Sequence, residues 1–272
     1  MTASPVLILA ATLALTLLMF TWMWRIHVAM SDVGVVDYYW GLGFAVLAAL
    51  ELVAGPSMDL MRFLFAAAIG LWALRLTAYL GLRHRAASAE DARYRRMREA
   101  TGPSFWWRSL FSVFLLQGLL QWLIAAPIHA ALAFPPSGKT TWALGTGFIL
   151  FAIGFVIEGV ADWQLARHKR DGSTATLARG LWAWSRHPNY FGEAVLWIGL
   201  ALVAYGLSGH ALAFAGPFLL IVVMVGVSVR VTESHLVQSR PDYAAYRART
   251  SAFLPRPPRP IASGQSERFY SR

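Results

Sequence analysis

The chain contains no cysteine, which excludes disulfides, thiolate nucleophiles and cysteine-bound metals. Charge is scarce too: Asp, Glu, Lys and Arg make up 14% of the residues, against about 25% in an ordinary soluble domain. No H-E-x-x-H, P-loop or G-x-G-x-x-G pattern occurs, so the common signatures of zinc hydrolysis and soluble nucleotide binding are missing. No internal repeat is visible. Acidic residues are the rarer charge, 14 against 24 Lys and Arg.

What fills the chain is apolar, 57% of its 272 residues. A membrane span needs roughly 20 apolar residues, because about 1.5 Å of rise per residue must cross about 30 Å of hydrocarbon. Seven stretches qualify: 5–24, 33–54, 60–81, 109–133, 142–162, about 189–207 and 211–229. The first lacks a basic flank and an A-x-A site, and so reads as a retained helix. The fold expected is an all-α polytopic bundle of about seven transmembrane helices, covering 1–254, with a Pro-rich, basic, disordered tail at 255–272.

Basic residues set the orientation. With the N-terminus outside, every Lys and Arg except Arg62 and Lys139 falls on the cytoplasmic side, together with the C-terminus. The net charge of +10 then describes a basic inner face that meets anionic lipid. The charge is spread over connections between spans, which argues against nucleic acid as a partner. In the connection 82–108, Glu90–Ala100 has helical charge spacing and ends near Gly102-Pro103, so a short surface helix is expected. Trp106 and Trp107 mark the membrane interface, and 134–141 forms a tight external turn.

Charged groups within spans need a reason, since each costs on the order of 3 kcal/mol at the bilayer centre. Glu51 and Asp162 lie near helix ends, within reach of water. Asp37 lies one turn inside the second span, and Arg75 is placed to snorkel. Glu158 and Asp162 are four apart and share a face, which Lys169 joins if the helix continues. An ion-pair ladder and the polar wall of a ligand cavity are both open for this stripe. Gln117, Gln121 and His129 suit hydrogen bonds between helices. The histidines, His168 and His187 included, show no ligand spacing that calls for a metal.

One polar stretch stands apart: "GLWAWSRHPNYFGE", residues 180–193. Pro188 fits the first position of a helix. A start there puts Asn189 and Glu193 on one face in the first turns, where the helix dipole favours an acid. Arg186 and His187 precede them at an end suited to anions. Cations for a phosphate, then an amide and a carboxylate, point to a ligand site.

This stretch resembles the C-terminal signature of the steroid 5-alpha-reductase family. Its wider relatives include sterol reductases and isoprenylcysteine carboxyl methyltransferases, and the likeness is strongest to a bacterial branch known only as a domain of unknown function. "VDYYWGLGF", "LWALRLTAYLGLRHR", "EDARYRRMR", "VFLLQGLLQWL" and "SRPDYAAYRARTSAFLPRPP" extend it over about 33–258. The resemblance implies an enzyme of the bacterial inner membrane. It would use NADPH to reduce a carbon–carbon double bond conjugated to a carbonyl in a steroid-like, isoprenoid or other lipid substrate drawn from the bilayer. It implies that Asn189 and Glu193 hold the nicotinamide, that Asp162 and Lys169 contact the cofactor, and that Arg75, Arg83, Arg186 and Tyr190 belong to the same site; Glu158 and His187 extend it.

The steroid reductases carry a Gln-x-x-Glu pair on helix 2 and a Tyr on helix 3. Helix 2 here has no such pair, and Trp72 stands at the Tyr position. A developing enolate still needs a donor, for which Asp37, protonated by desolvation, Tyr38 or Tyr39 is expected. An S-adenosylmethionine-dependent methyltransferase and a non-catalytic lipid-binding protein are the alternatives.

Overall fold

The computed structural model describes residues 3–85, 92–136 and 140–260. Helices dominate. α1 (Pro5–Met30) starts at Ser4, whose hydroxyl accepts the Leu7 N–H, with Pro5 in the first turn, and it ends at Ser31 with a left-handed φ of 56°. α2 (Val35–Ala54) stops at Gly55, and α3 (Leu60–Arg85) begins where the Asp59 carboxylate accepts the N–H groups of Met61 and Arg62. The surface helix read from the sequence is α4 (Ala92–Thr101), halted by Gly102 at φ +65° and Pro103; Glu90 and Asp91 lie outside the described residues.

The fourth apolar stretch is not one rod. α5 (Phe105–Ser109) passes through a π-helical turn at Leu110–Leu115 into α6 (Leu116–Ile124). A break at Ala125 then precedes α7 (Ala126–Leu132). Pro127 supplies the cause, since its ring removes a donor and clashes with the preceding turn. The expected span 109–133 is therefore corrected: the long apolar helical path is Tyr94–Ile124.

α8 (Thr141–Arg170) runs unbroken, so Glu158, Asp162 and Lys169 do ride one helix. α9 (Pro188–Ser208) begins at Pro188, as its sequence dictates. α10 (Ala215–Val223), a second π-helical turn and α11 (Val229–Ser239) follow, and α12 (Tyr243–Arg249) closes the helical part. Seven of these helical paths are long and apolar enough to cross a membrane. Val6, Leu18, Phe63, Trp142 and Phe218 stand exposed on them, as expected when hydrocarbon rather than water is the solvent. The protein is an integral membrane protein.

The chain divides into two compact units, one of residues up to Ile149 with Ile198–Leu219, the other of Leu150–Trp197 with Leu220 onward. The first unit packs a core of Phe20, Val36, Tyr39, Phe105 and Phe114. Polar side chains join its helices: Gln121 donates to the Trp40 carbonyl at 2.9 Å, and the Trp40 indole donates to Gln117 at 2.6 Å. His129 pairs with Glu51 at 2.6 Å. This corrects the reading of Glu51 as reaching water, because it is wholly buried. Arg62 is wholly buried as well, donating to the carbonyls of Leu132 and Phe134. Both sit near helix ends in sequence, but the turn at Gly55 and the end of α7 cover them: a side chain on Gly55 would strike the Leu132 carbonyl.

Candidate functional site

In the second unit, α8 and α9 touch backbone to backbone. A Cβ on Gly192 would lie 2.5 Å from the Glu158 nitrogen, and one on Gly154 would collide with Leu196. Only glycine allows that approach. It sets the first turns of α9 beside the polar stripe of α8. Asn189 donates to Asp162 at 3.4 Å. Glu158 and Asp162 are buried, which corrects the expectation that Asp162 reaches water, while Lys169 is exposed in the last turn of α8. Glu193 is half-buried one turn after Asn189. The Asn189 side-chain oxygen is shielded from solvent and has no hydrogen-bond partner among the described residues.

The segment leading into α9 is tied down residue by residue. Gly180, at φ +62°, faces Gln164, whose oxygen accepts the Leu181 N–H. The Trp182 indole donates to the Ala161 carbonyl. Ser185 donates to the Phe253 carbonyl and accepts the His187 N–H. Tyr246 donates to the Trp182 carbonyl at 2.6 Å, and burial pushes its phenol well above the ordinary range. Burial likewise pushes the Tyr243 phenol up to about 12.

Arg186 and His187, read as cations for a phosphate, take another partner. The Arg186 guanidinium forms two hydrogen bonds with Glu233, at 2.7 and 3.1 Å, and donates to the carbonyls of Arg247 and Thr250. His187 lies 3.3 Å from Glu233 and stacks on Tyr190, with ring centroids 5.3 Å apart. Arg247 reaches the same carboxylate at 3.5 Å. Glu233 is the residue that sequence reasoning missed; an acid four residues past an apolar run was its only signal. His168 contacts the Ala175 carbonyl at 2.7 Å.

The strap after α12 is also held. Arg256 donates its N–H to the Trp184 carbonyl, and Arg259 to that of Arg249. Residues 255–260, placed in a disordered tail by composition, are thus pinned by backbone bonds, and 261–272 lie outside the described residues.

The remaining expected residues belong to the first unit. Asp37 sits in the first turn of α2 and accepts a hydrogen bond from Tyr94 at 3.2 Å. Tyr39 is buried edge-on against Phe20. The side chain of Tyr38 lies outside the described residues. Arg75 is half-buried and Arg83 exposed along α3. Trp72 is buried against Phe44.

Comparison with known proteins gives two kinds of match. An uncharacterized protein of Schizosaccharomyces pombe, C594.04c, is 27% identical over 86% of this chain and 76% of its own length. The 3-oxo-5-alpha-steroid 4-dehydrogenase 1 of mouse is 39% identical over 70 residues, 25% of this chain and 28% of the mouse enzyme. The rat enzyme of that name matches equally, over 27% of its length. The chain thus spans about a quarter of the rodent enzymes it matches. No solved structure matches. The family model described as "Protein of unknown function (DUF1295)" matches residues 23–250, and the chain belongs to that family.

Proposed function

We propose that this protein is a membrane-embedded, NADPH-dependent reductase acting on a carbon–carbon double bond conjugated to a carbonyl in a steroid-like, isoprenoid or other lipid substrate. The observation that carries this reading is Asn189: its side-chain oxygen is shielded without a partner, while its amide donates toward Asp162. An unsatisfied buried acceptor costs about 1–3 kcal/mol, so a ligand N–H that completes it is favoured. A nicotinamide carboxamide carries such an N–H beside a carbonyl, and the residues fit it. The partial match to the rodent steroid dehydrogenases supports the same chemistry.

In this reading Asn189 and Glu193 accept from the carboxamide, and Asp162 holds the Asn189 amide in its working orientation. Glu158 lines the same wall. When bound, the cofactor supplies the hydride. Exposed Lys169 is the cation of the second unit assigned to its phosphates; Arg75 and Arg83, on the first unit, carry the cofactor assignment only as the resemblance implies it. Arg186, His187 and Tyr190, expected at the cofactor site, are bound to Glu233 or stacked and so also fix the segment that launches α9. Asp37, Tyr38 and Tyr39 are the groups assigned to the enolate oxygen, with Tyr94 bonded to Asp37.

Titration of the purified protein with NADPH, read by nicotinamide fluorescence, tests this. Wild type is expected to bind saturably, and Asn189→Ala and Glu193→Ala to weaken binding at least tenfold each, about 1.4 kcal/mol. Retention of S-adenosylmethionine instead of NADPH would overturn the reading.

A further inference from the structure

Beyond α12 the second unit holds a cavity of about 260 Å³, its wall including Arg186, Arg247, Arg249, Thr250, Arg256 and Arg259. Among the described residues no carboxylate lines it. Glu233 offsets Arg186 and Arg247 from one side, which leaves a surplus of positive charge. Neither the Arg256 nor the Arg259 guanidinium has a partner among the described residues, and both residues are exposed.

The frame is built in advance. Arg249 donates its side-chain Nε–H to the Arg259 carbonyl at 3.2 Å, and Arg259 returns its N–H to the Arg249 carbonyl at 3.0 Å. Arg256 is anchored on Trp184. In "PRPPRP" the prolines fix the backbone, and the three-residue period of an extended proline helix puts Arg256 and Arg259 on one side. Guanidiniums carried on an anchored backbone at one cavity are suited to holding a phosphate.

Three observations indicate which phosphate. The cavity is below the roughly 300–1,000 Å³ of ordinary ligand pockets, a size that suits one phosphate group with the rest of its molecule lying outside. Beside it, Trp184 and Leu254 expose apolar side chains, as interfacial residues do. The preceding helical path, Ala211–Ser239, has 29 residues; at about 1.5 Å each it outruns the roughly 30 Å hydrocarbon layer and carries the strap to headgroup depth.

We propose that this arginine pocket binds the phosphate headgroup of an anionic membrane lipid, with the acyl portion lying over Trp184 and Leu254. The test is thermal unfolding of the detergent-solubilised full chain, followed by tryptophan fluorescence. It is titrated with dioctanoyl phosphatidic acid, dioctanoyl phosphatidylcholine, inorganic phosphate or adenosine 2′,5′-bisphosphate. Phosphatidic acid is expected to raise the midpoint saturably and phosphatidylcholine to leave it in place. The double variant Arg256→Gln, Arg259→Gln is expected to weaken the apparent phosphatidic acid affinity at least tenfold, and Arg259→Gln alone to weaken it by a smaller factor. An equal response to phosphatidylcholine, or an unchanged response in both variants, overturns the proposal. Inorganic phosphate matching the lipid reassigns the pocket to free phosphate, and a response to the nucleotide alone reassigns it to a cofactor; either result overturns the lipid assignment.

Discussion

At Glu233 one carboxylate meets two guanidiniums and an imidazole, Arg186 at 2.7 Å, Arg247 at 3.5 Å and His187 at 3.3 Å. The Arg186 and Glu233 side chains are both about nine-tenths buried. Removing one member of such a pair strands the other in a poor solvent, at a cost of about 3–5 kcal/mol. Glu233→Ala is therefore expected to lower the unfolding midpoint sharply, and Arg186→Lys to lower it less, because lysine keeps the charge but loses the two-point contact. Thermal denaturation of the two variants checks the order. Tyr243 gives a pH signature. Its phenol is held protonated in the fold up to about 12, against an ordinary 10.0. A group whose folded value is raised contributes fully below its unfolded value and loses that contribution as pH climbs to the folded one. Wild type is expected to lose stability between about pH 10 and 12, and Tyr243→Phe to lose less across that window, as alkaline denaturation would show.

The contact of α8 with α9 makes an equally sharp prediction. Gly192 touches no ligand in the proposed reading, yet its missing side chain lets the α9 backbone reach Glu158. Gly192→Ala is expected to cost about 1–3 kcal/mol by overpacking. It should also weaken NADPH binding, since Asn189 would shift away from Asp162. An alanine variant with wild-type midpoint and affinity would remove this contact from the account. Much at this scale was legible beforehand. Apolar runs gave six of the seven spans, the fourth lying instead at Tyr94–Ile124; Pro188 gave the start of α9, and Gly102-Pro103 gave the end of α4, because these signals are local. The break at Ala125 was also written locally, in Pro127. What stayed hidden depends on partners far along the chain. Glu51 looked like an acid near a helix end because His129 lies 78 residues on, and Arg186 looked like a cation for a phosphate because Glu233 lies 47 residues on. No periodicity encodes such pairings. The polar stripe on α8 and the Asn189–Glu193 face were readable since both partners of each pair lie one turn apart.

At the largest scale, the seven apolar paths among the described residues constrain topology by parity: if each crosses the membrane once, the start of α1 and the segment after α11 lie on opposite sides. The side follows from charge. Every Lys and Arg but Arg62 and Lys139 falls on one face if the spans alternate as read, and we assign that face to the cytoplasm by the positive-inside rule. Arg62 weakens as an exception once its burial is seen, for it serves the carbonyls at the end of α7. The absence of cysteine makes the assignment directly measurable. Ser4 is exposed at the start of α1, and Thr174 is exposed in the connection after α8. Carried singly on the cysteine-free background, Ser4→Cys is expected to react with a membrane-impermeant maleimide added to intact cells. Thr174→Cys is expected to react only after permeabilisation. Labelling of both from the same side would break the alternation, and with it the proposed access of a soluble nicotinamide cofactor to the first turns of α9.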